Sequence, residues 1–544
     1  MHSLLPLLLL LLPGSRPMPV SGTFFYPGVL EINQRHDPRY APSGGLAALA
    51  EGHQVGDVVN FWAQSFVDEY TTFYLTSATC RAVGEKTYIF VEDTQWESRN
   101  FDQSGVDSLY AELEGPSGII SNLEINFGPI PDELDDDPRA YILVLDIPDG
   151  WDPVTNPGYI AGYFSPYNQF TEFEARLFYG GHSNEVEMLY VDCNPGRVSD
   201  ASFVASHELV HLIHWGIKPF SSQDLWVLEN QAQTGPYVCG YNAFQVETFL
   251  ETGGVTPINW TSYAFSDIRY VAGYGAGFLF FSYLMENYGG RDFIWNSMRS
   301  DSRGVRNIEQ AIALATGQTP LFENIMRDWM LSCFIDDVDR GYGWEGFTIA
   351  SIDTVSPGNR PGLDWTGIID ETPWQGPGLD IGAYQGLYYH IAQGLSGSLR
   401  IGASGIGKME AYLLTDTGLT PVNVSGTGEV AVPLDTPGTL LLLNNAFAGL
   451  SVTASAGSTG DGLAVYPNPC LGDLYFQFIS QGAQVSLAVF DQTGAVVDTR
   501  DFGYQASGER VLVYTGADGL ASGIYFYRLV RGENVESGRF AVVR

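Results

Sequence analysis

Basic residues are scarce in this chain of 544 residues. Lysine and arginine together number 26, against 63 aspartate and glutamate residues, so the formal net charge is −37. A surface this negative repels the phosphates of nucleic acids and the head groups of anionic lipids. The composition therefore argues against nucleic acid as a partner. It is compatible with calcium binding, with salty surroundings or simply with solubility.

Cysteines and long apolar runs are also few. The five cysteines lack the spacing of a zinc knuckle; an exported protein could form one or two disulfides from them, but no pairing can be assigned. The apolar run at residues 4–12 is too short to span a bilayer, and proline, glycine and small residues follow it. We predict a signal peptide over residues 1–22, cut near Gly22, and no transmembrane segment.

Against this background the sequence HELVH at residues 207–211 stands out. On a helix, His207 and His211 leave the same face one turn apart and can bind one metal ion. This is the HExxH pattern, in which two histidines bind zinc and the glutamate, here Glu208, acts as general base for an activated water. The alternative is a buried helix whose histidines are only hydrogen-bonded.

A catalytic zinc needs a third protein ligand. A histidine six residues after the second one is excluded, because that position is Ile217. Glu229 is the better candidate, since DLWVLE at residues 224–229 predicts the first turns of a returning helix with Asp224 as its cap. Glu229 could instead be a solvated glutamate. His214 follows the pair on the same face and is expected to pack or to support the ligands.

HELVH followed by DLWVLE resembles the gluzincins, the thermolysin and aminopeptidase N group of zinc peptidases. Members usually have Asn-Glu-Gly at the third ligand, whereas this chain has Leu228-Glu229-Asn230, so the groups that support the carboxylate can differ. The segment AGYGAGFLFFSYLMENYGG at residues 272–290 is similar to an aminopeptidase-type gluzincin helix. That resemblance implies that Tyr274 stabilises the oxyanion; a packing role is the alternative.

We expect an α+β multidomain chain, because 544 residues exceed one core. Strand patterns at residues 87–93, 139–147 and 186–193 predict a β-rich lobe over residues 23–195. Helical spacing predicts a zinc-binding helical lobe over residues 196–340, with helices at the ranges listed last. Those predicted helices are 242–251, 275–288, 307–316 and 321–337.

Two features of the first lobe bear on the site. The strand at residues 186–192 is a candidate for the edge on which an extended substrate pairs, although a core strand is equally compatible, and residues 158–170 are predicted to be a loop at the cleft rim. The acidic run DELDDD at residues 132–137 is expected to be a solvated loop. A Ca²⁺ site there is possible, but the spacing is not that of an EF-hand.

Short strands separated by turn residues predict two β-sandwich modules, at residues 343–456 and 463–544, joined by a flexible linker. VYPNP, FDQTG, GLASGIYFY and SGRFAVVR make the last module resemble the type A C-terminal sorting domain of the type IX secretion system. This resemblance implies that residues 463–544 engage that secretion machinery, and that the protein is secreted or held on the outer cell surface.

These observations predict a secreted zinc metalloendopeptidase that acts on proteins or peptides. Zn²⁺ would be bound by His207, His211 and Glu229, with Glu208 and Tyr274 as catalytic residues. An aminopeptidase is less favoured, because the chain lacks the Gly-x-Met-Glu-Asn segment that binds a free amino terminus in that group. A surface adhesin, or another protein-binding or glycan-binding protein with a vestigial or structural zinc domain, remains an alternative.

Overall fold

The protein is described from a computed structural model. It comprises two compact units, residues 1–325 with 331–363 and residues 326–330 with 364–544, and each is considered by itself. The structure describes residues 18–24, 52–67, 72–132, 134–135, 137–152, 158–243, 245–252, 254–258, 260–265, 267–349, 366–372, 374–376, 378–425, 428–457, 463–470 and 472–543.

A seven-stranded mixed sheet is the framework of the first unit. Its spatial order is β1-β6-β7-β5-β4-β3-β2. Strands β4, β5 and β7 are parallel and entirely buried, as their continuous apolar sequences require. The strands are β1 (Met18–Ser21), β2 (Val58–Ser65), β3 (Thr72–Val83), β4 (Thr87–Glu92), β5 (Ala140–Leu145), β6 (Gly158–Phe164) and β7 (Met188–Asp192).

Two predictions about this sheet were wrong. Residues 158–170 are not a loop throughout, because β6 occupies Gly158–Phe164. Strand β7 is not an edge, because β5 and β6 flank it on either side. The strand next to the outer edge is β6, and β1 pairs with it in parallel.

Four helices interrupt the lobe that the sequence predicted to be mainly β. The longest of them is capped by Asp102, whose carboxylate accepts from the backbone N–H groups of Ser104 and Gly105. These helices are α1 (Asp93–Ser98), α2 (Gln103–Glu114), α3 (Ile119–Asn126) and α4 (Glu172–Tyr179).

The helical region begins soon after β7. Each of the helices predicted there is present, within a few residues of its expected ends, except that the one predicted from residue 275 begins at Ile268. Helix α9 was not predicted. The helices are α5 (Ala201–Ile217), α6 (Leu225–Val238), α7 (Gln245–Thr252), α8 (Ile268–Asn287), α9 (Arg291–Arg299), α10 (Gly304–Thr316) and α11 (Phe322–Ile335).

Apart from part of α11 and a short 3₁₀ turn, the described residues of the second unit form β modules. In the first module two five-stranded sheets share one apolar core, the arrangement of a β-sandwich. Its strands are β8 (Gly367–Ile369), β9 (Trp374–Gln375), β10 (Leu379–Ile381), β11 (Gly386–Ile391), β12 (Ser398–Gly405), β13 (Met409–Thr415), β14 (Gly418–Val422), β15 (Glu429–Pro433), β16 (Gly438–Asn444) and β17 (Leu450–Gly457).

The last module has a three-stranded and a four-stranded sheet around its own core, in which Phe476, Leu487 and Leu529 are buried. The alternating apolar residues of these strands place one face of each sheet in that core. The strands are β18 (Ala464–Tyr466), β19 (Leu474–Ser480), β20 (Ala483–Phe490), β21 (Val496–Gln505), β22 (Gly508–Tyr514), β23 (Gly523–Arg531) and β24 (Asn534–Val542).

Three further expectations concern termini, linkers and cysteines. The predicted signal sequence up to residue 17 and residues 458–462 of the predicted linker lie outside the described residues. Among the described helices, none is long and apolar enough to cross a membrane. All five cysteines lie in described segments and are free thiols.

Candidate metal centre

Helix α5 supplies two histidines to a buried site behind the sheet. The helix is apolar on nearly every side, and its residues from Ala201 to Trp215 are all buried between the sheet and the other helices. His207 and His211 are one turn apart, with ring centroids separated by 4.9 Å. Their Nε2 atoms therefore face the same region, as the four-residue spacing predicts.

Helix α6 brings Glu229 to the same region. The Glu229 side chain is fully buried, and its Oε2 atom lies 3.4 Å from Nε2 of His207 and 3.7 Å from Nε2 of His211. The two helices can approach closely because α6 has Gly235 where a β-carbon would overlap the carbonyl oxygen of Ser206. One potential ligand atom from each of the three residues fits within a span of 4.8 Å.

These atoms have the environment of ligands for a small cation. Nε2 of His207, Nε2 of His211 and both carboxylate oxygens of Glu229 are buried without a hydrogen-bond partner. Leaving such groups unsatisfied is costly, about 1–3 kcal/mol each. Two ligand atoms bound at about 2.1 Å to one tetrahedral ion lie about 3.4 Å apart, so the observed separations fit a shared ion.

The electrostatics of the three residues are coupled. Burial opposes the charged form of the Glu229 carboxylate, but the two imidazoles beside it lower its pKa below the ordinary value. Burial likewise opposes a charged His207, and the nearby Glu229 carboxylate raises the pKa of its imidazole. A negative carboxylate facing two imidazoles is a donor set that attracts a divalent cation.

Glu208 lies beside this group but is held differently. Its Oε2 accepts a hydrogen bond from the hydroxyl of Thr23 at 2.7 Å and another from the backbone N–H of Phe164 at 3.0 Å. Phe164 ends β6, so Glu208 is positioned between the sheet and the histidines. Its 1 % exposure leaves this carboxylate in a water-poor cleft, suited to proton transfer.

Tyr274 lies on the opposite helix, α8. Its ring centroid is 5.9 Å from that of His207, and its hydroxyl accepts a hydrogen bond from the backbone N–H of Ser21 at 3.1 Å. Burial raises the pKa of the Tyr274 hydroxyl well above its ordinary value. The hydroxyl is therefore protonated at neutral pH and can donate a hydrogen bond.

The residue after Glu229 explains how the unusual Leu-Glu-Asn sequence is accommodated. Asn230 is completely buried; its Nδ2 donates to the carbonyl of Pro257 at 2.8 Å and its Oδ1 accepts from Nε1 of Trp260 at 3.3 Å. A β-carbon at Gly277 of α8 would overlap this amide. Asn230 and Gly277 thus let α6 and α8 pack closely next to Glu229.

His214 is not part of the metal-site group, although it shares helix α5 with the pair. It is buried, and burial lowers the pKa of its imidazole well below the ordinary value. Its ring lies 5.7 Å from that of Phe220. His214 is therefore a neutral packing residue, one of the two roles expected from the sequence.

Thr23 is a site residue that the sequence did not indicate. It contacts Glu208 across a separation of 185 residues, and its backbone lies just after β1. Local spacing carries no information about such a contact, because it depends on the pairing of β1 with β6.

The acidic run at residues 132–137 lies close to another carboxylate in the structure, that of Glu187. Asp132 and Asp135 come together with the buried Glu187, so that one carboxylate oxygen from each fits within 4.8 Å. Asp132 is exposed, and exposed acidic groups are often close together without an ion. A Ca²⁺ site at residues 132–137 therefore stays a prediction.

The C-terminal module matches a known family. Residues 464–543 match the family model described as a secretion system C-terminal sorting domain. The chain therefore carries a type IX secretion sorting domain, which directs export to the medium or the outer cell surface. The match does not extend to the metal centre.

Comparisons with other proteins add no information about that centre. No curated protein matches the chain. Among solved structures, a β-glucuronidase of Parabacteroides merdae is 11 % identical with a TM-score of 0.16, over 29 % of this chain and 27 % of that one. A β-glucuronidase of Ruminococcus gnavus is 9 % identical with a TM-score of 0.15, over 29 % of this chain and 35 % of that one. The chain thus spans about a third or less of each, and likenesses this low say nothing about fold or activity.

Proposed function

We propose that the chain is an exported zinc-dependent endopeptidase. The observation that carries this proposal is the buried meeting of His207, His211 and Glu229, whose facing atoms have no hydrogen-bond partner. Glu208 and a protonated Tyr274 flank the same region. The resemblance to gluzincins and the sorting domain, which looks like type A, support the same interpretation.

Nitrogen and carboxylate ligands in this number suit zinc, which commonly takes three protein ligands in catalytic sites. His207, His211 and Glu229 would hold the ion. When bound, zinc lowers the pKa of a coordinated water and polarises a substrate carbonyl. Since histidines bind zinc as neutral imidazoles, Zn²⁺ with the single carboxylate would carry a net charge of +1, which favours that chemistry.

The side chains of the protein would supply the proton transfers. Glu208 would take the proton of the attacking water, since its carboxylate is buried next to the histidines, and would then pass it to the departing amine. The Tyr274 hydroxyl would donate a hydrogen bond to the oxygen that becomes negative in the transition state. The Phe164 backbone N–H would keep the Glu208 carboxylate oriented.

Cleavage within a chain is favoured over cleavage at its amino terminus. The Gly-x-Met-Glu-Asn segment that would anchor a free amine is absent from the sequence. Strand β6 ends at Phe164, whose backbone N–H donates to Glu208, so an extended peptide that paired with β6 in place of β1 would run past the metal site. Such pairing uses backbone hydrogen bonds and does not require a chain end.

Metal binding is tested first by a pair of matched variants. We expect one zinc per chain in the wild type and in His214→Ala, and well under half a zinc in His211→Ala, measured by plasma mass spectrometry after dialysis. Both variants remove a buried imidazole from α5, so the comparison separates ligation from packing. Equal zinc contents in the two variants would contradict the proposed ligand set.

Activity is tested on a mixed peptide library read by mass spectrometry. Internal cuts that disappear with a chelator and return with added zinc would support the endopeptidase. Cuts confined to the first residue of each peptide would indicate an aminopeptidase. An untouched library with one zinc per chain would favour a binding protein with a structural metal site, provided that the cleft is open.

A further inference from the structure

Residues 18–24, which we name the cleft strand, lie in the candidate active site. Met18–Ser21 form β1 and pair in parallel with β6, from Met18 opposite Gly158 to Ser21 opposite Gly162. Within the described part of the chain β1 pairs with β6 alone, so β6 would be the edge of that sheet without it. At Gly162 a β-carbon would lie 3.5 Å from Cγ of Glu208, so this edge runs directly beside the proposed base.

The cleft strand also takes up hydrogen bonds of the proposed catalytic groups. The Thr23 hydroxyl donates to Oε2 of Glu208 at 2.7 Å, and the Ser21 backbone N–H donates to the Tyr274 hydroxyl at 3.1 Å. The proposed base and the proposed oxyanion donor are thus both engaged by one short segment. Backbone pairing plus these contacts is how an extended peptide ligand would be held.

The last residue of the segment closes the region next to a metal-site histidine. The Phe24 ring packs edge-on against His211 at 5.1 Å between centroids and against Phe220 at 4.9 Å. Phe24 is only 4 % exposed, and residues 19–23 are buried as well. The segment is therefore inserted in the cleft and does not merely lie on the surface.

We propose that the cleft strand is an autoinhibitory segment that occupies the place of a peptide substrate until it is removed or displaced. The inference rests on the proposed peptidase function. It predicts that a chain retaining residues 18–24 is latent, and that loss of this segment frees the edge of β6, Glu208 and Tyr274 together. A signal-peptide cut near Gly22 would remove β1 beforehand, so the proposal requires a cut on the amino-terminal side of Pro19.

The main test compares three zinc-loaded proteins in cleavage of a fluorogenic peptide. These are the chain from Met18, the chain from Gly52, and the chain from Met18 with Gly22→Val. A β-carbon at Gly22 would lie 2.7 Å from Cγ2 of Ile160 and 2.9 Å from the Phe66 ring, so valine expels the segment without deleting it. We expect both altered proteins to be at least about tenfold more active than the parent.

Gly378→Val in the chain from Met18 is the matched control. A β-carbon there has no neighbour within 4 Å, and Gly378 lies in the other unit. This variant should stay as latent as its parent. Equal turnover in the chains from Met18 and from Gly52, both folded and with one zinc each, would overturn the proposal.

A binding measurement separates this proposal from the proposed function. A fluorescent peptide with the sequence of residues 18–24, MPVSGTF, should bind the chain from Gly52 with zinc and be displaced by the unlabelled peptide, whereas a scrambled peptide should not bind. Binding of the peptide without any cleavage of substrates would support the cleft strand as a cleft ligand and contradict the proposed peptidase function. Cleavage of substrates without binding of the peptide would support the peptidase function and contradict the autoinhibitory role.

The amino terminus left by signal-peptide removal gives an independent test. Mass spectrometry of the Glu208→Gln chain, which cannot process itself if the proposed function holds, should find a first residue at or before Pro19. A first residue of Thr23 would overturn the proposal, because β1 would then be absent from the folding chain.

Discussion

Glu208 and Glu229 lie in one buried cleft but have different neighbours. The Glu208 carboxylate receives two hydrogen bonds, from Thr23 and from the Phe164 backbone, whereas the Glu229 carboxylate faces two imidazoles without a hydrogen bond. A carboxylate that faces two imidazole nitrogens is placed to ligate a cation. A carboxylate that two hydrogen bonds orient beside those imidazoles is placed to act as a base. The different surroundings thus favour different proposed roles for the two glutamates.

The assignment of Glu208 predicts the effect of an isosteric change. Glu208→Gln should keep one zinc per chain and lower kcat for peptide cleavage by about 10³-fold, because the amide cannot accept the proton of water. The measurements are zinc content and initial rates on a peptide that the library identifies. Glu97→Gln, at an exposed helix position, is the control. Normal turnover in Glu208→Gln would refute its role as the base.

Tyr274→Phe tests the role that the gluzincin resemblance implies. Loss of one donor to the developing oxyanion should lower kcat by about 10²-fold and leave KM nearly unchanged. The assay should use the chain from Gly52, in which Ser21 no longer bonds to this hydroxyl. A stability change with unaltered kcat would instead make Tyr274 a packing residue, the alternative that its complete burial leaves open.

The metal-site residues were accessible to sequence reasoning to different degrees. His207 and His211 are related by one helical turn, so their meeting follows from local geometry. To place Glu229 near the two histidines, the sequence had to predict only one turn and one further helix. The contact of Thr23 with Glu208 spans 185 residues and depends on strand order, which no local pattern encodes. Sequence reasoning therefore identified the candidate ligands, but it did not predict the segment that packs beside them.

At the scale of elements, the site is shaped by close helix packing. Gly273, Gly275 and Gly277 on α8 each stand where a β-carbon would overlap a neighbour, respectively Trp260, the Gln245 backbone and Asn230. These glycines thus allow α7 and α8 to approach each other and admit the Asn230 side chain. Their spacing reflects packing as much as chemistry.

Gly277→Ala should therefore disturb the site through the helices. The added methyl group overlaps the Asn230 amide, so we expect a loss of about 1–3 kcal/mol in unfolding free energy and weaker zinc retention, because Glu229 is adjacent. Chemical denaturation and zinc content after competition with a chelator are the measurements. Gly378→Ala, which meets no atom, should change neither. Unchanged stability in Gly277→Ala would contradict the close packing of α6 and α8.

Strand order was the element-scale feature that sequence could not predict. The positions of β4, β5 and β7 follow from their apolar runs, but continuous burial does not reveal which strand lies at the edge. Strand β7 was a candidate edge because it leads into α5, with a core strand as the equally open alternative. In the sheet β6, which is farther from that helix in sequence, lies outside β7. The non-consecutive order β6-β7-β5 is a long-range property, and the cleft is built on it.

On the scale of the whole molecule, the sorting domain and the candidate metal centre lie in different parts of the chain. The sorting domain has its own apolar core, formed within residues 463–542. The metal-site residues and the cleft strand all lie in the first compact unit. The large negative charge fits an exported protein and disfavours nucleic acid as a partner.

Removal of residues 463–544 should therefore abolish export without altering the metal centre. In a bacterium with type IX secretion the shortened chain should remain inside the outer membrane, whereas the intact chain reaches the medium or the cell surface. Purified, both should hold one zinc and cleave the same peptide with equal kcat/KM. Since the core of the sorting domain uses none of the residues around Glu208, a large loss of zinc or activity on truncation would show that this module supports the first unit. Gly519→Val, in a position open to solvent within the module, should preserve both export and activity.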